Sequence, residues 1–172
     1  KSIFLHQDEN GILVLNADNE ITNSFRNEAN GKVILFSSKQ KLENGYIVED
    51  GIVKECNDGI RKHIVSSKEL KLRGAHNLQN ICTVLALTKQ FVSTEKAVET
   101  IKKFPGVHHR LELVRTLDGV EWYNDSASTT PTRGISALNA FDKEIILIAG
   151  GADKILIDIK CGEGALIKTK ED

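Results

Sequence analysis

The sequence predicts an α/β protein, and three observations support this prediction. Short apolar runs separated by turn residues fill the first seventy residues, which is typical of β-strands. A helical stripe of apolar residues follows between residues 77 and 92. Beyond residue 110, a polar loop and a glycine-rich loop alternate with a predicted helix and strands, which is how a Rossmann-like unit begins.

Length and composition limit the class of protein. The chain has 172 residues, 40% of them hydrophobic, and 23 basic against 24 acidic residues give a net charge of −1. The hydrophobic content suffices for a hydrophobic core and excludes a disordered chain. The balanced charge argues against a nucleic-acid partner, and the apolar runs are too short for a membrane span. No signal peptide is visible and three widely spaced cysteines predict no disulfide framework, so we expect a cytoplasmic protein.

The strands of the first region are predicted from apolar runs and turn signals. Ile12 to Asn16 and Val33 to Phe36 are apolar runs that end in polar residues. Asp50-Gly51 and Asp58-Gly59 each stand between two such runs. Because Asp-Gly favours the two-residue turns of hairpins, the region predicts two hairpins after the first two strands.

Two helices are predicted next. Apolar residues recur at helical spacing between Asn77 and Phe91, and Gly74 marks the start of this helix. Ser93 can cap a second helix, which Pro105-Gly106 ends. This Pro-Gly pair is the best linker candidate in the sequence.

We therefore expect two domains, residues 1–106 and residues 107–172. In the second, Asp118-Gly119 predicts a third hairpin. Thr130 followed by Pro131 suits an N-cap and the first position of a helix. The continuous apolar run from Glu144 to Ala149 predicts a buried strand.

Four polar clusters could bind an anionic ligand. The first lies at a predicted helix N-terminus, where free N–H groups favour anions and where Asn77 and Asn80 share one face. Their amides could bind the edge of a purine, and a helix cap with a solvent-facing amide is the alternative.

The second cluster, His108 to Glu112, could contact a phosphate or ribose, and a solvated turn is the alternative.

The third cluster, Asn124 to Pro131, lies between a predicted strand and a predicted helix. Asp125 could hold a ribose, a phosphate-bound Mg²⁺ or a cationic side chain. Ser126, Ser128 and Thr129 could donate to an anionic ligand, and a helix cap alone is the alternative.

The fourth cluster, Gly150 to Lys154, follows the predicted buried strand, where open α/β sheets bind ligands. It is not a P-loop, because the order G-x-x-x-x-G-K-[ST] is absent here and throughout the sequence. Lys154 is therefore interpreted as a charge for a carboxylate. Together the four clusters suggest an anion or nucleotide site shared by two domains.

In order and spacing, these motifs resemble the Mur ligase family of bacterial cell-wall synthesis. The resemblance runs from Lys1 to about Asp158. The motifs that carry it are Val14-Leu15-Asn16-Ala17-Asp18, Gly74-x-His76-Asn77-x-x-Asn80, Phe104-x-Gly106-x-x-His109-Arg110-x-Glu112, Asn124-Asp125-Ser126 and Gly150-Gly151-x-Asp153-Lys154. The Asn-Asp-Ser triplet resembles the corresponding segment in the branch of the family that adds D-glutamate.

The resemblance implies an ATP-dependent ligase. In this family ATP phosphorylates the carboxylate of UDP-N-acetylmuramoyl-L-alanine (UDP-MurNAc-L-alanine), the amine of D-glutamate attacks the acyl phosphate, and phosphate leaves, with Mg²⁺ assisting. The resemblance also implies a monomer in the bacterial cytoplasm. The alternatives are a related Mur or folylpolyglutamate-type ligase for another amino acid, and a non-catalytic nucleotide-binding module.

The resemblance further implies roles for individual residues. It implies nucleotide binding by His76, Asn77, Asn80, Arg110 and Asp125, substrate binding by Ser126, Thr129, Arg133 and Lys154, and catalytic roles for Asp125 and Lys154. Arg110 is expected at the ribose and Lys154 at a carboxylate of D-glutamate. The family has a lysine where this chain has Ala127, and we hypothesise that Arg133 replaces it.

The resemblance finally implies that the chain is part of a longer enzyme. The P-loop, the Mg²⁺-binding glutamate, a carbamylated lysine and the UDP-binding domain are expected before Lys1, so we assign no metal ligand within the chain. Residues 1–106 would be the latter part of a central ATPase domain, and residues 107–172 the start of a Rossmann-like C-terminal domain. We expect the chain alone to have no ligase activity.

Overall fold

A computed structural model describes residues 1–150 and 165–168 of the chain. The chain divides into two compact units, Lys1–Pro105 and Gly106–Asp172, called here the first and the second unit. Each unit combines strands with helices, so the predicted α/β class is confirmed. None of the helices in the described ranges combines the length and the apolar content that crossing a membrane requires.

A five-stranded mixed sheet forms the centre of the first unit. Its strands are β1 (Ile12–Asn16), β2 (Lys32–Ser37), β3 (Gly45–Glu49), β4 (Ile52–Asn57) and β5 (Ile60–Ser66), in that spatial order. The pairs β1–β2 and β2–β3 are parallel, whereas β3–β4 and β4–β5 are antiparallel. All of these strands lie where the apolar runs predict them.

The hairpin turns of both units adopt the backbone that Asp-Gly favours. Asp50 and Gly51 have φ values of 52° and 72°, and Asp58-Gly59 is similar at 48° and 78°. Asp118-Gly119 in the second unit has φ values of 51° and 79°. Two successive left-handed residues characterise the type I′ turn, so the three predicted hairpins are confirmed.

Four helices accompany this sheet. They are α1 (Ser2–Leu5), α2 (Glu20–Ser24), α3 (Ala75–Thr88) and α4 (Thr94–Lys103). The sequence pattern does not predict α1 and α2, because helices of four and five residues are too short to show a helical period. The Ser93 hydroxyl accepts a hydrogen bond from the Lys96 N–H at 3.3 Å, so the predicted cap of α4 is confirmed.

Helix α3 packs its apolar stripe onto the sheet. Leu78, Ile81 and Leu85 are buried in one cluster with Val53 and Val65, both of which are fully inaccessible to solvent. The helix ends at Thr88, earlier than the apolar pattern suggests. Phe91, at the C-terminal end of the predicted helix, is 81% exposed and does not belong to the buried apolar stripe.

The second unit contains a hairpin, a helix and a parallel strand pair. Among its described residues the elements are β6 (Glu112–Leu117), β7 (Val120–Asn124), α5 (Pro131–Leu138), β8 (Ile145–Ile148) and β9 (Ala165–Lys168). The strands β6 and β7 are antiparallel with Glu112 opposite Asn124, and β8 pairs in parallel with β9.

The strand predicted as buried is only half-buried. β8 forms within the predicted range, but Ile146 and Ile148 are 87% and 80% exposed. In the described part of the chain β8 pairs with β9 alone, and one of its faces meets solvent. The prediction of a buried strand is therefore wrong, because a continuous apolar run predicts that both faces of the strand are packed against other elements.

Candidate functional site

The first polar cluster lies at the start of α3. The Asn77 side-chain amide donates to the Arg73 carbonyl at 2.6 Å, and the Asn80 amide donates to Asn77 Oδ1 at 3.3 Å. The two amides thus share one helix face, as their spacing predicts. His76 precedes them in the first turn and is half-buried.

The two asparagines differ in what they can offer a ligand. Asn77 uses its amide N–H to bind the loop before the helix, and it is not a helix cap, because the N-cap residue is Gly74 and no side chain caps the helix. Asn80 is exposed and uses one N–H within the described residues, which leaves its oxygen and its second N–H for a ligand. A purine edge would therefore meet Asn80 rather than Asn77.

A hydrogen-bonded network that centres on Asp18 adjoins this helix start. The Asp18 carboxylate accepts from the Ser37 hydroxyl, and from the Ser38 N–H and hydroxyl at 2.7 and 3.0 Å. The Gln79 amide donates to the Ser38 hydroxyl at 2.9 Å and so connects the network to α3. Asp18 has no predicted role, although a carboxylate two residues after a parallel strand is a recognisable signal.

The network changes the acidity of Asp18. Partial burial acts to raise the pKa of the carboxyl, but the hydrogen bonds from Ser37 and Ser38 outweigh it. The pKa therefore lies below its ordinary value, and Asp18 is ionised at neutral pH.

Asp18→Asn is expected to lower the free energy of unfolding by about 1–2 kcal/mol at pH 7, because a charged acceptor with several donors is replaced by a neutral one. Since the native pKa is depressed, this contribution is present above the unfolded pKa and is lost as the pH falls through the native pKa. Urea unfolding of both proteins between pH 7 and pH 3 measures the difference. Asp50→Asn, in an exposed turn that also suits Asn, is the control, and a pH-independent difference for Asp18 would contradict the prediction.

A cavity of about 580 Å³ opens beside β2 in the first unit. It is lined by residues 32–35, 44–46 and 55–57 together with Arg26, Asn27 and Lys89. Within it Glu55 is buried, pairs with Lys89 and accepts from the Tyr46 hydroxyl at 3.4 Å. Burial and the adjacent Glu55 raise the pKa of Tyr46. None of the predicted site residues within the described ranges lines this cavity.

The second and third polar clusters lie side by side in the second unit. The Leu111 N–H donates to Asp125 Oδ1 at 3.0 Å, and the Ala127 N–H donates to the His109 carbonyl at 3.0 Å. The β6–β7 pairing is the cause, because it places the residues before β6 next to those after β7. The structure therefore brings the segment of Arg110 and the segment of Asp125 together.

The segment around Arg110 has a costly backbone conformation. His109 and Leu111 have φ values of 65° and 44°, in the left-handed region that residues with a Cβ rarely adopt. Each such residue costs about 1–3 kcal/mol and persists only where surrounding contacts hold it. Arg110, between them, is exposed.

The hydroxyl groups of the third cluster are not used as a helix cap. Thr130 is the N-cap residue of α5 and Pro131 follows it, as predicted, but the Thr130 side chain makes no capping hydrogen bond. The Arg133 N–H, which a capping hydroxyl could bind, donates to the Thr130 carbonyl at 3.1 Å instead. The hydroxyls of Ser126 and Thr129 are exposed at the same loop.

Two cationic residues, Arg133 and Lys154, are predicted beyond this loop, and the structure describes only the first. Arg133 is exposed in the first turn of α5, where the helix dipole disfavours a cation unless an anion is nearby. Lys154 lies outside the described residues. Across residues 1–150 and 165–168, no group of three or more His, Cys, Asp or Glu side chains could hold a metal ion.

Comparison with known sequences identifies relatives. The sequence model of the Mur ligase middle domain matches residues 1–88, just over half of the chain. A UDP-N-acetylmuramoylalanine–D-glutamate ligase of Clostridium kluyveri is 45% identical over 172 residues, covering 98% of this chain and 36% of the relative. A ligase of the same name from Clostridium novyi is 43% identical, covering 90% and 33%. The chain therefore spans about a third of the length of these curated relatives.

Solved structures share the fold. The UDP-N-acetylmuramoylalanyl-D-glutamyl-2,6-diaminopimelate–D-alanyl-D-alanyl ligase of Acinetobacter baumannii gives a TM-score of 0.61, covering 80% of this chain and 31% of that one. The MurF ligase of Thermotoga maritima, in complex with ADP, gives 0.52 and covers 83% and 34%. Both are 17% identical to this chain, which supports the fold alone. With the middle-domain match over residues 1–88, these findings show that the chain belongs to the Mur ligase family.

Proposed function

We propose that the chain forms part of an ATP-dependent ligase that joins D-glutamate to UDP-MurNAc-L-alanine in peptidoglycan synthesis. The observation that supports this most directly is the similarity of nearly the whole chain to ligases named for D-glutamate addition. In this proposal residues 1–106 belong to a central ATPase domain and residues 107–172 begin a Rossmann-like C-terminal domain. The enzyme acts as a monomer in the bacterial cytoplasm.

The chain contributes contacts to the nucleoside part of ATP. The exposed Asn80 amide offers a donor and an acceptor to adenine, with His76 and Asn77 bordering it. Arg110 is exposed on the second unit and its guanidinium group makes no hydrogen bond or ion pair with the described residues, so this group is available to a ribose. Asp125 is beside it and supplies the carboxylate that faces the nucleotide.

The loop after β7 contributes to binding of the amino acid. The Ser126 and Thr129 hydroxyls are exposed donors, and Arg133 supplies a cation one helical turn further on. Lys154 supplies the second cation. Charge-assisted hydrogen bonds from these groups to the two carboxylates of D-glutamate hold its amine in place for attack.

The phosphates of ATP and the Mg²⁺ ion do not fit the residues of this chain. The sequence has no P-loop, and the described residues contain no group of metal ligands. ATP, when bound, supplies the phosphoryl group that activates the substrate carboxylate. The residues of this chain bind and orient the nucleoside and D-glutamate.

The proposal is tested with a chimera in which this chain replaces the matching segment of the Clostridium kluyveri relative. Phosphate release is measured with UDP-MurNAc-L-alanine, ATP, Mg²⁺ and a panel of amino acids. Release that depends on D-glutamate supports the proposal. Release that depends on a different amino acid, or no release from a chimera that unfolds cooperatively, contradicts it.

The 172-residue chain alone is expected to release no phosphate in the same assay. The reason is that nothing in its sequence can cradle the phosphates of ATP. Turnover by the isolated chain would show that this assignment of the phosphate site is wrong.

Arg133→Ala in the chimera is expected to raise the KM for D-glutamate about tenfold, since one hydrogen bond to a charged group is lost. The KM for ATP should stay the same, because the proposed contact is with the amino acid. Lys143→Ala, which removes an exposed cation of the same unit, is the matched control. An unchanged KM for D-glutamate would show that Arg133 does not replace the lysine absent at Ala127.

A further inference from the structure

The carboxylate of Glu112 holds the turn that precedes it in the chain. Its Oε2 accepts from the His109 N–H at 2.7 Å, and its Oε1 lies 2.8 Å from His108 Nδ1. Glu112 is the first residue of β6, so its own backbone is fixed by pairing with Asn124. The side chain thus connects a strand to the two residues that precede Arg110.

A second carboxylate holds the other side of the same turn. The Leu111 N–H donates to Asp125 Oδ1 at 3.0 Å. Because His109 and Leu111 are the neighbours of Arg110, the amides directly before and after this arginine each bind a carboxylate. The Arg110 N–H itself donates to the Val107 carbonyl at 3.2 Å, which closes the turn.

The hydrogen bonds keep Glu112 ionised. The bond from the His109 N–H is the largest effect and the bond from His108 comes next, and together they hold the pKa of Glu112 below its ordinary value. A charged acceptor binds a backbone N–H more strongly than a neutral one. The contact is therefore suited to holding His109 in the left-handed conformation that it would otherwise avoid.

These contacts fix the backbone of Arg110 but not its side chain. The guanidinium group is exposed and makes no hydrogen bond or ion pair with the described residues. A turn with two unfavourable φ values, held on both sides, thus presents one cation outward. Backbone strain that is maintained in this way is typical of functional sites.

We propose that Glu112 is a positioning residue, which sets the direction of Arg110 by holding the His109 amide. Its functional consequence rests on the proposed nucleotide role of Arg110. In this arrangement Asp125 serves both as the second support of the turn and as a group that faces the nucleotide. Glu112 contacts no ligand and acts through Arg110.

The first experiment measures hydrogen exchange at the amides of His109 and Leu111 by NMR in the full 172-residue chain. Glu112→Ala is expected to accelerate exchange at His109 about tenfold, because the amide loses its acceptor. Glu112→Gln retains an oxygen at the same place and should restore most of the protection. Glu144→Ala, an exposed glutamate before β8, is the control. Native protection at His109 in Glu112→Ala would overturn the proposal.

The second experiment measures the binding of ADP to the chimera described above by isothermal titration calorimetry. Arg110→Ala and Glu112→Ala are each expected to weaken binding, and the double variant should bind no worse than Arg110→Ala alone. Such non-additive losses are expected when one residue acts through the other. Additive losses, or a loss in Arg110→Ala without one in Glu112→Ala, would overturn the positioning role.

The two experiments separate failure of this inference from failure of the proposed function. If Arg110→Ala leaves ADP binding unchanged, the nucleotide role of Arg110 is wrong. Hydrogen exchange at His109 still decides in that case whether Glu112 holds the turn. Loss of protection in Glu112→Ala with recovery in Glu112→Gln would support the positioning role without any reference to a nucleotide.

Discussion

Leu85→Ala is expected to lower the free energy of unfolding of the first unit by about 2–5 kcal/mol, because it leaves a cavity where a leucine was buried. Leu85 is 2% exposed and belongs to the cluster that joins α3 to the sheet. Only a small part of this loss can be recovered by relaxation, since Val53 and Val65 on the facing strands are themselves fully buried. Urea unfolding followed by far-ultraviolet circular dichroism measures the effect.

Leu87→Ala provides the matched control on the same helix. Leu87 is 42% exposed, so the same chemical change removes much less buried surface. We expect it to cost under about 1 kcal/mol. Equal losses for the two leucines would contradict the packing of α3 onto the sheet.

Asp125→Asn is expected to reduce D-glutamate-dependent phosphate release by the chimera about a hundredfold, a typical loss when one electrostatic group is removed from a reaction centre. The asparagine keeps an oxygen that can accept from the Leu111 N–H, so the turn at Arg110 should be retained. The charge that we propose to face the nucleotide is lost. Steady-state kinetics and thermal unfolding of the same preparation measure the two effects separately.

Asp125→Ala removes both the charge and the acceptor. It should therefore lower activity at least as much as Asp125→Asn, and in addition speed hydrogen exchange at the Leu111 amide. Asp142→Asn, an exposed carboxylate beyond α5, serves as the control. Full activity in Asp125→Asn would show that the charge has no part in the reaction.

The parts of the fold that were predicted correctly depend on interactions between residues close in sequence. Asp-Gly pairs favour type I′ turns wherever they occur, and the three hairpins follow from them. The apolar stripe of α3 repeats over several turns, so its period is unambiguous. Helices α1 and α2 have four and five residues, and a segment of that length carries no period that could reveal it, although the Asn19 side chain caps α2.

The candidate site could be predicted only cluster by cluster. Each polar segment was recognisable, but the contact between Leu111 and Asp125 depends on the register of β6 and β7, which places Glu112 opposite Asn124. The role of Asp18 likewise depends on which strand lies next to β1. Both carboxylates bind backbone N–H groups far from them in sequence, and residue type alone does not indicate such pairings.

The order of strands in the first unit has a consequence for how the chain folds. The antiparallel strands β3, β4 and β5 meet through two-residue turns, so bringing them together costs little chain entropy. The parallel pairings of β1 and β2 require longer excursions of the chain and are slower to form. The hairpins can thus serve as a template onto which β2 and then β1 are added. The contact between Asp18 and Ser37 joins the ends of β1 and β2, so in this order of assembly it would form last.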